Sequence, residues 1–411
     1  MLDNFGARKF LVSHPTGNTF VRALLEELQR KNNLAQFFTT IGFGEGINSF
    51  SSKVAETRKY KIPDCKISRQ WFPELTRLAY NGKQEIRRRL TDWAYYSLDQ
   101  KVGGVLAEQK IDFLHAYEDG AAISFKKAKE IGIQCSYELP IAHWAKVRVL
   151  LEQESQRYPE WEPTLESTRE PEEKLIRKEE EIHLADRITC PSQFVLQSIP
   201  KKIREKIPCL VNPFGSPIIN KIQCEGKKNL NLKIKLLFVG SMSQRKGLAD
   251  LFEAMKILKD EPVSLSILGR PSMPMDFYRK KLPVFDYYQP CSNQKVRTIM
   301  QNHDALVLPS IIEGRALVQQ EALACGLPII ITPNSGGDDL VENGLTGYLT
   351  PIRSPDKIAE NILSLLESTI SPFDRKIICQ QKAAQYSWAS YASKIVDFNL
   401  SNNPNLVDVT D

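Results

Sequence analysis

The sequence predicts an α/β protein made of two parallel-sheet domains that face each other across a cleft. Three observations carry that expectation. Residues 303–333 (HDALVLPSIIEGRALVQQEALACGLPIIITP) read as strand, turn, helix and strand in succession, the repeating element of a parallel sheet. Short apolar runs alternate with amphipathic helical stretches in both halves of the chain. Between the halves, prolines and a glycine cluster at residues 208–217 (PCLVNPFGSP) and read as an interdomain linker. A chain of 411 residues is long for one domain and natural for two.

In order, residues 9–13 (KFLVS) form a short apolar strand. HPTGNTF follows, then a helix with apolar positions at Val21, Leu24, Leu25 and Leu28. A strand, a glycine turn and a helix start form a ligand or anion site in many α/β proteins. Gly17 alone is a weak signal, without the three-glycine dinucleotide fingerprint. Residues 53–110 are basic and helix-rich. Residues 111–114 (IDFL) read as a strand ending at His115, residues 126–132 as a helix, and residues 134–139 as a strand leading to His143. Residues 152–181 are strongly acidic. Pro159, Pro163 and Pro171 break their first part, and the second part continues as a helix to 186. RITCPSQFVLQSI then gives a strand, a turn at Pro191 and Ser192, and a helix. After the linker and a polar stretch, KLLFVG is a strand, SMSQRKG a turn, LADLFEAMKIL a helix and VSLSILG a strand. A proline-broken loop and the helix NQKVRTIMQN precede the stretch first described.

Composition is globular, since 42% apolar and 25% charged residues leave little room for long disorder. The N-terminal residues lack the long apolar core of a signal peptide, and no apolar run approaches the ~20 residues that span a membrane. The chain is expected to be cytoplasmic, or to touch the inner face of a membrane from its surface. Eight scattered cysteines, without a C-x-x-C pair, are expected to be reduced thiols rather than metal ligands or a disulfide framework. The net charge of +6 is uneven: between Lys53 and Arg89 stand eleven Lys/Arg against Glu56, Asp64, Glu74 and Glu85. Trp71, Phe72, Tyr80, Trp93, Tyr95 and Tyr96 lie in or just after that segment. One reading is a solvated basic helix pair with its aromatics in the core; others are an anionic membrane surface or a polyanionic acceptor. Nucleic acid is not expected, because no recognition motif accompanies the charge.

Four turns fall at strand C-terminal ends, at residues 14–18, 115–120, 240–247 and 310–314. Facing domains would direct them into one cleft. Arg245 and Lys246 supply adjacent cations before Gly247 and a helix, which suits a diphosphate. Gly314 precedes a second helix start at Leu317. Glu313 and Glu321, eight positions apart, are expected on one side of that turn and helix, where carboxylates accept hydrogen bonds from hydroxyls. Together these residues point to a nucleotide diphosphate carrying a polyol.

EGRALVQQE, followed by ALACGLPII, resembles the E-x7-E signature of the retaining GT-B glycosyltransferases of family 4, the glycosyl transferases group 1. FVGSMSQRKG, PSIIEG and NSGGDDLVENGLTGYLTP are similar to its flanking segments. KEEEIHLADRITCPSQFV resembles the close of the family's N-terminal domain, and YSWASYASKIVDF its last helix, which crosses back to that domain. The match is strong over roughly 180–400 and weaker before. It implies a GT-B fold with a Rossmann-like acceptor domain at 1–210, to which 385–411 return, and a donor domain at 211–384. It implies transfer of a sugar from a nucleotide-diphosphate sugar to an acceptor, a glycan or lipid-linked glycan as in polysaccharide assembly, with retention of configuration and no metal or cofactor. Glu313 would contact the donor sugar, Glu321 the ribose and Lys246 the diphosphate. Backbone N–H groups near Ala316 and Leu317 would assist, and Gly17 would allow close approach of the first loop. Ser241 stands where the family has arginine, with Arg245 as its replacement; Ala316 replaces a glycine; and Tyr117 replaces the second histidine of an H-x-H. His115 is then the expected active-site histidine and His143 its rival. A non-catalytic GT-B protein, or a phosphorylase or disaccharide synthase of this fold, remains an alternative.

Overall fold

The computed structural model describes residues 8–46, 57–165, 170–219 and 233–401. Lys53, Glu56 and Cys224, with the outer ends of the expected domains at 1–7 and 402–411, lie outside the described residues.

The first domain holds a seven-stranded sheet. Its strands are β1 (Phe10–Ser13), β2 (Leu34–Thr39), β5 (Ile67–Arg69), β6 (Phe113–Tyr117), β7 (Gln134–Glu138), β8 (Arg187–Cys190) and β9 (Cys209–Val211). They run parallel in the order β5-β2-β1-β6-β7-β8-β9. β3 (Phe43–Glu45) and β4 (Lys59–Pro63) make a separate pair. The second domain holds β10 (Ile234–Val239), β11 (Val263–Leu268), β12 (Asp286–Tyr288), β13 (Ala305–Leu308), β14 (Ile329–Ile331) and β15 (Gly347–Leu349), parallel in the order β12-β11-β10-β13-β14-β15. Both sheets start in the middle, build to one edge, then restart on the other side of the first strand. Each therefore has a switch point, β1/β6 in one and β10/β13 in the other, where loops leave in opposite directions and open a crevice.

The elements follow from burial. β1, β6, β8, β13 and β14 are buried at every residue, as a parallel sheet covered on both faces requires. The helix Thr19–Arg30 buries Phe20, Val21, Leu24, Leu25 and Leu28, a face of i, i+3, i+4 spacing, against the first sheet.

Several expectations change. β6 ends at Tyr117 rather than beside the apolar run 111–114, because His115 and Tyr117 are buried amphipathic residues that do not lengthen an apolar pattern. Residues 209–211 lie in the proline-rich stretch expected to be linker, yet they pair with β8 as the sheet's edge strand. The proline-broken loop contains the helix Met275–Lys281 and β12. Among its described residues, the basic segment holds strands β4 and β5 and the helices Trp71–Ala79 and Gln84–Val105. Four of its aromatics, Trp71, Phe72, Trp93 and Tyr96, are exposed instead of joining the core.

Two segments stitch the domains together. The helix Trp144–Arg157 and the 3-10 turn Pro159–Thr164 leave the first domain and pack on the second. Trp161 is buried there among Phe252, Phe277 and Tyr278, with ring centroids 5.0–5.9 Å apart. Arg157 pairs with Asp250 at 2.7 Å, and Arg353 with Glu154. In the other direction, the helix Trp388–Leu400 packs on Thr19–Arg30. There Lys31 pairs with Asp397 at 2.8 Å, and the Tyr391 hydroxyl donates to Glu138 at 2.5 Å. Among the described residues, no helix is long and apolar enough to cross a membrane.

Candidate active site between the domains

All four turns reach one cavity of about 600 Å³ between the switch points. The turn after β1 contributes His14 and Asn18, and the end of β6 contributes Tyr117, Glu118 and Asp119. From the second domain, the turn after β10 contributes Gly240 and Lys246, and the turn after β13 contributes Glu313, Arg315 and Ala316. Glu321 lines the same wall one helical turn beyond Leu317.

On the second-domain wall, Glu313 is the hub. One carboxylate oxygen, Oε1, lies 2.6 Å from Lys246 Nζ and 2.6 Å from Arg245 Nη1. Burial pushes the Glu313 carboxyl up, but Lys246 and Arg245 outweigh it and hold the group below the usual carboxylate range. Burial also lowers the Lys246 ammonium; Glu313 raises it and Arg245 lowers it further. The site is therefore a compact charged triad with one excess cation, able to take an anion. Glu321 is separate from it: burial raises its carboxyl and Arg297 draws it back.

Gly314 holds this turn against the other domain. A Cβ at that position would stand 1.7 Å from the Pro140 carbonyl oxygen, so only glycine permits the approach. Ser192 donates to the Gly314 carbonyl at 2.7 Å across the same seam. Arg315 is buried, with both terminal nitrogens on Asp339 at 2.6 and 3.1 Å, and one also donates to the Gly336 carbonyl. Its part in the cavity wall is to fix the loop carrying Glu313. The Ala316 N–H donates to the Ser335 carbonyl at 3.2 Å, so the helix presents its start from Leu317 and Val318 instead.

The first-domain wall centres on His14. Its Nδ1 accepts from the Thr16 and Gly17 N–H groups at 3.1 and 2.8 Å. A neutral ring bonded this way carries its proton on Nε2 as a donor. Burial, then Arg58 and His115, lower its pKa to about 3. Tyr117 stands edge-on to His14 at 4.7 Å. Gly17, with φ +50°, lies against Tyr60, where a Cβ would fall 1.9 Å from the Tyr60 oxygen. Gly17 thus acts on the cavity through His14. Beside Tyr117, burial raises Glu118 to about 7, with Lys178 lowering it and Asp119 and Glu170 raising it.

The structure therefore gathers Lys246, Glu313, Ala316, Leu317 and Glu321 on the wall. Ser241, Arg245, Gly314 and Gly17 are not among the residues that line the cavity. His115 does not reach the cavity. It lies mid-strand and fully buried, with Nδ1 2.9 Å from Ser136 Oγ and Nε2 3.4 Å from Glu138. His143 is the N-cap of Trp144–Arg157 and faces Glu179 at 3.2 Å, also off the wall. His14 was visible only as part of a glycine turn. Phe214, in the linker, closes the cavity beside Phe20 by stacking at 5.2 Å, and nothing in its local sequence announced that. Among the described residues, no group of three His, Cys, Asp or Glu stands where it could hold a metal ion.

Comparison with known proteins bears on the second domain most directly. Residues 223–383 match the family Glycosyl transferases group 1. An uncharacterized glycosyltransferase of Methanocaldococcus jannaschii, MJ1178, is 26% identical over 192 residues, 45% of this chain and 50% of the relative. A Campylobacter jejuni N,N'-diacetylbacillosaminyl-diphospho-undecaprenol alpha-1,3-N-acetylgalactosaminyltransferase is 27% identical over 161 residues, 39% of this chain and 43% of the relative. The chain thus spans half or less of the length of these relatives. Among solved structures, sucrose-phosphate synthase from Thermosynechococcus elongatus superposes with a TM-score of 0.65 at 15% identity, covering 95% of this chain and 98% of the other. That likeness extends over both domains and agrees with the two sheets and their cleft. The chain is therefore similar to the Glycosyl transferases group 1 family over residues 223–383, set in a two-domain GT-B fold.

Proposed function

We propose that the protein is a glycosyltransferase of family 4 type. It moves a sugar from a nucleotide-diphosphate sugar to a glycan or lipid-linked glycan, with retention of anomeric configuration. The observation that carries this reading is the Arg245–Lys246–Glu313 triad at the β10/β13 switch point, sharing a cavity with Glu321. The diphosphate takes the place beside Lys246, with Arg245 adding its charge through Glu313 from outside the cavity lining. Lys246 stabilises the charge that grows on the leaving diphosphate as the glycosidic bond breaks. Glu313, held ionised, accepts from hydroxyls of the donor sugar. Glu321 accepts from the ribose, with the base beyond it toward Asn293 and Val296.

The acceptor approaches from the first domain, past Tyr95, Tyr117 and Glu118. His14 offers a Nε2–H donor to the transferring sugar or the incoming hydroxyl. His115 acts from behind as a positioning residue, packing edge-on to Tyr117 at 5.1 Å. The nucleotide sugar is a co-substrate, and charge neutralisation is assigned to Lys246 and Arg245 rather than to a metal. The Campylobacter relative's name includes an undecaprenol diphosphate, which supports a lipid-linked acceptor.

A thermal-shift screen with UDP-, GDP- and ADP-sugars tests the donor half. A ligand that binds only the folded state raises its melting temperature. One nucleotide class should shift the wild type, and the shift should disappear in Lys246→Ala and Glu321→Ala. No shift with any of the three would sink the reading.

A further inference from the structure

We propose that the helical hairpin formed by Trp71–Ala79 and Gln84–Val105 seats the protein on an anionic lipid bilayer. The first helix turns Trp71, Phe72, Leu75 and Leu78 outward, with Phe72 61% exposed and Trp71 56%. The second turns out Ile86, Trp93 and Tyr96, which lie with Arg89 on one face at i, i+3 and i+4 spacing. The two faces form one patch: the Phe72 ring stands 5.9 Å from Trp93 and 6.2 Å from Trp71, edge-on to each. Isolated exposed apolar residues are ordinary; two tryptophans and five further large apolar groups on adjoining helices mark an interaction surface.

Charge selects the partner. Lys83, Arg87 and Arg89 are exposed on this hairpin. The acids nearby are mostly committed elsewhere. Glu74 is buried under Arg58 and Arg77, both at 2.7 Å, and Asp92 faces Lys174 at 3.3 Å. Glu85 is exposed and pairs with Arg89 at 2.9 Å, which leaves Lys83 and Arg87 as the cations offered outward. Tryptophan and tyrosine at the boundary, aliphatic side chains between them and arginine at the rim suit the headgroup region of an anionic membrane. A second copy fits less well, because a twofold interface would set the same basic residues against themselves. Leu75, Leu78 and Ile86 add aliphatic surface that stacked bases do not use.

The patch also sits close to the cavity. Tyr95 lines the cavity from the same helix, two residues from Trp93 and therefore on nearly the opposite side. The bilayer would lie about 10–12 Å, one helix diameter, from the acceptor wall. An acceptor anchored in lipid would then present its sugar end directly to the site. That last step rests on the glycosyltransferase reading; docking itself does not.

Vesicle flotation of the full chain tests the proposal, using phosphatidylcholine vesicles with and without a minority of phosphatidylglycerol. Phe72→Ser/Trp93→Ser and Arg87→Glu/Arg89→Glu are compared with the wild type, after their melting temperatures confirm folding. The wild type should float with anionic vesicles at low salt and be released at high salt. Each double variant should lower binding about tenfold. Nucleotide-induced thermal shifts should be unchanged in both, so loss of docking and loss of donor binding are separable. Three results would overturn the proposal. The wild type stays unbound with anionic vesicles at low salt; the Phe72/Trp93 variant binds as well as the wild type; or light scattering finds a wild-type dimer that this variant dissociates.

Discussion

Lys246 Nζ stands 2.6 Å from Glu313 Oε1, inside the cavity and with Arg245 on the same oxygen. The two residues come from different turns, 67 positions apart, joined by the β10/β13 pairing. Their removal should have opposite effects on binding. On the proposed function, Lys246→Ala takes a cation from the diphosphate position, so nucleotide binding should weaken and turnover should fall about 10²–10³-fold. On the same reading, Glu313→Ala removes the carboxylate that would compete with the diphosphate for Lys246. Nucleotide binding should hold or tighten while turnover falls. Calorimetric titration with the nucleoside diphosphate, paired with initial rates, separates the two. Equal weakening of binding in both variants would contradict the assignment.

His14 makes a prediction about pH. Its folded-state pKa, about 3, lies below the ordinary 6.5, so the unfolded chain binds a proton that the folded chain refuses. Stability contributed by the neutral ring is present above pH 6.5 and is lost as pH falls from 6.5 toward 3. The loss from this group approaches about 1.4 kcal/mol per pH unit within that window. His14→Gln should flatten this component. Urea unfolding of wild type and variant from pH 7 to pH 4.5 checks it, and parallel slopes would remove His14 as the source.

At the domain seam, Gly314→Ala would bring a Cβ to 1.7 Å from the Pro140 carbonyl oxygen. Backbone faces it on the other side, so the loop itself must move. Glu313 moves with it. The expected cost is about 1–3 kcal/mol of stability, with a drop in turnover larger than the change in nucleotide binding. Kinetics and chemical denaturation of the one variant measure both, and unaltered turnover would show the seam to be irrelevant to the chemistry.

Trp161 belongs by sequence to the first half and by packing to the second-domain core. Trp161→Ala should destabilise the protein by about 3–5 kcal/mol. The effect should fall on the second domain, so calorimetry should show one transition split into two, the earlier one sensitive to nucleotide. A small shift of a single transition would mean that the strap is peripheral.

What was legible in the sequence was local. Residues 305–308 and 329–331 are uniformly apolar and became buried parallel strands. Lys246, Glu313 and Glu321 lie in or beside turns whose strands are easy to locate, and the fold brings them to one wall. Less legible were the features made by distant chain segments. Four aromatics of the basic segment are exposed although aromatic residues are mostly buried, and composition alone carries no information on which face a helix shows. The apolar run stops at 114 and places His115 at a strand end, yet the strand continues two residues past it and buries the ring. His14 is held neutral by burial, then by Arg58 and His115, and its Nδ1 is engaged by two backbone N–H groups, none of which a sequence pattern displays.

The most direct test of the central claim is nucleotide release and product stereochemistry in a single reaction. Purified wild type and Lys246→Ala are incubated with the nucleotide sugar that stabilises the wild type and with a candidate acceptor, and the product is followed by proton NMR. The account predicts release of nucleoside diphosphate by the wild type, a product with the donor's anomeric configuration, and release at least about a hundredfold slower in Lys246→Ala. An inverted product, or equal release by the two proteins, would contradict it.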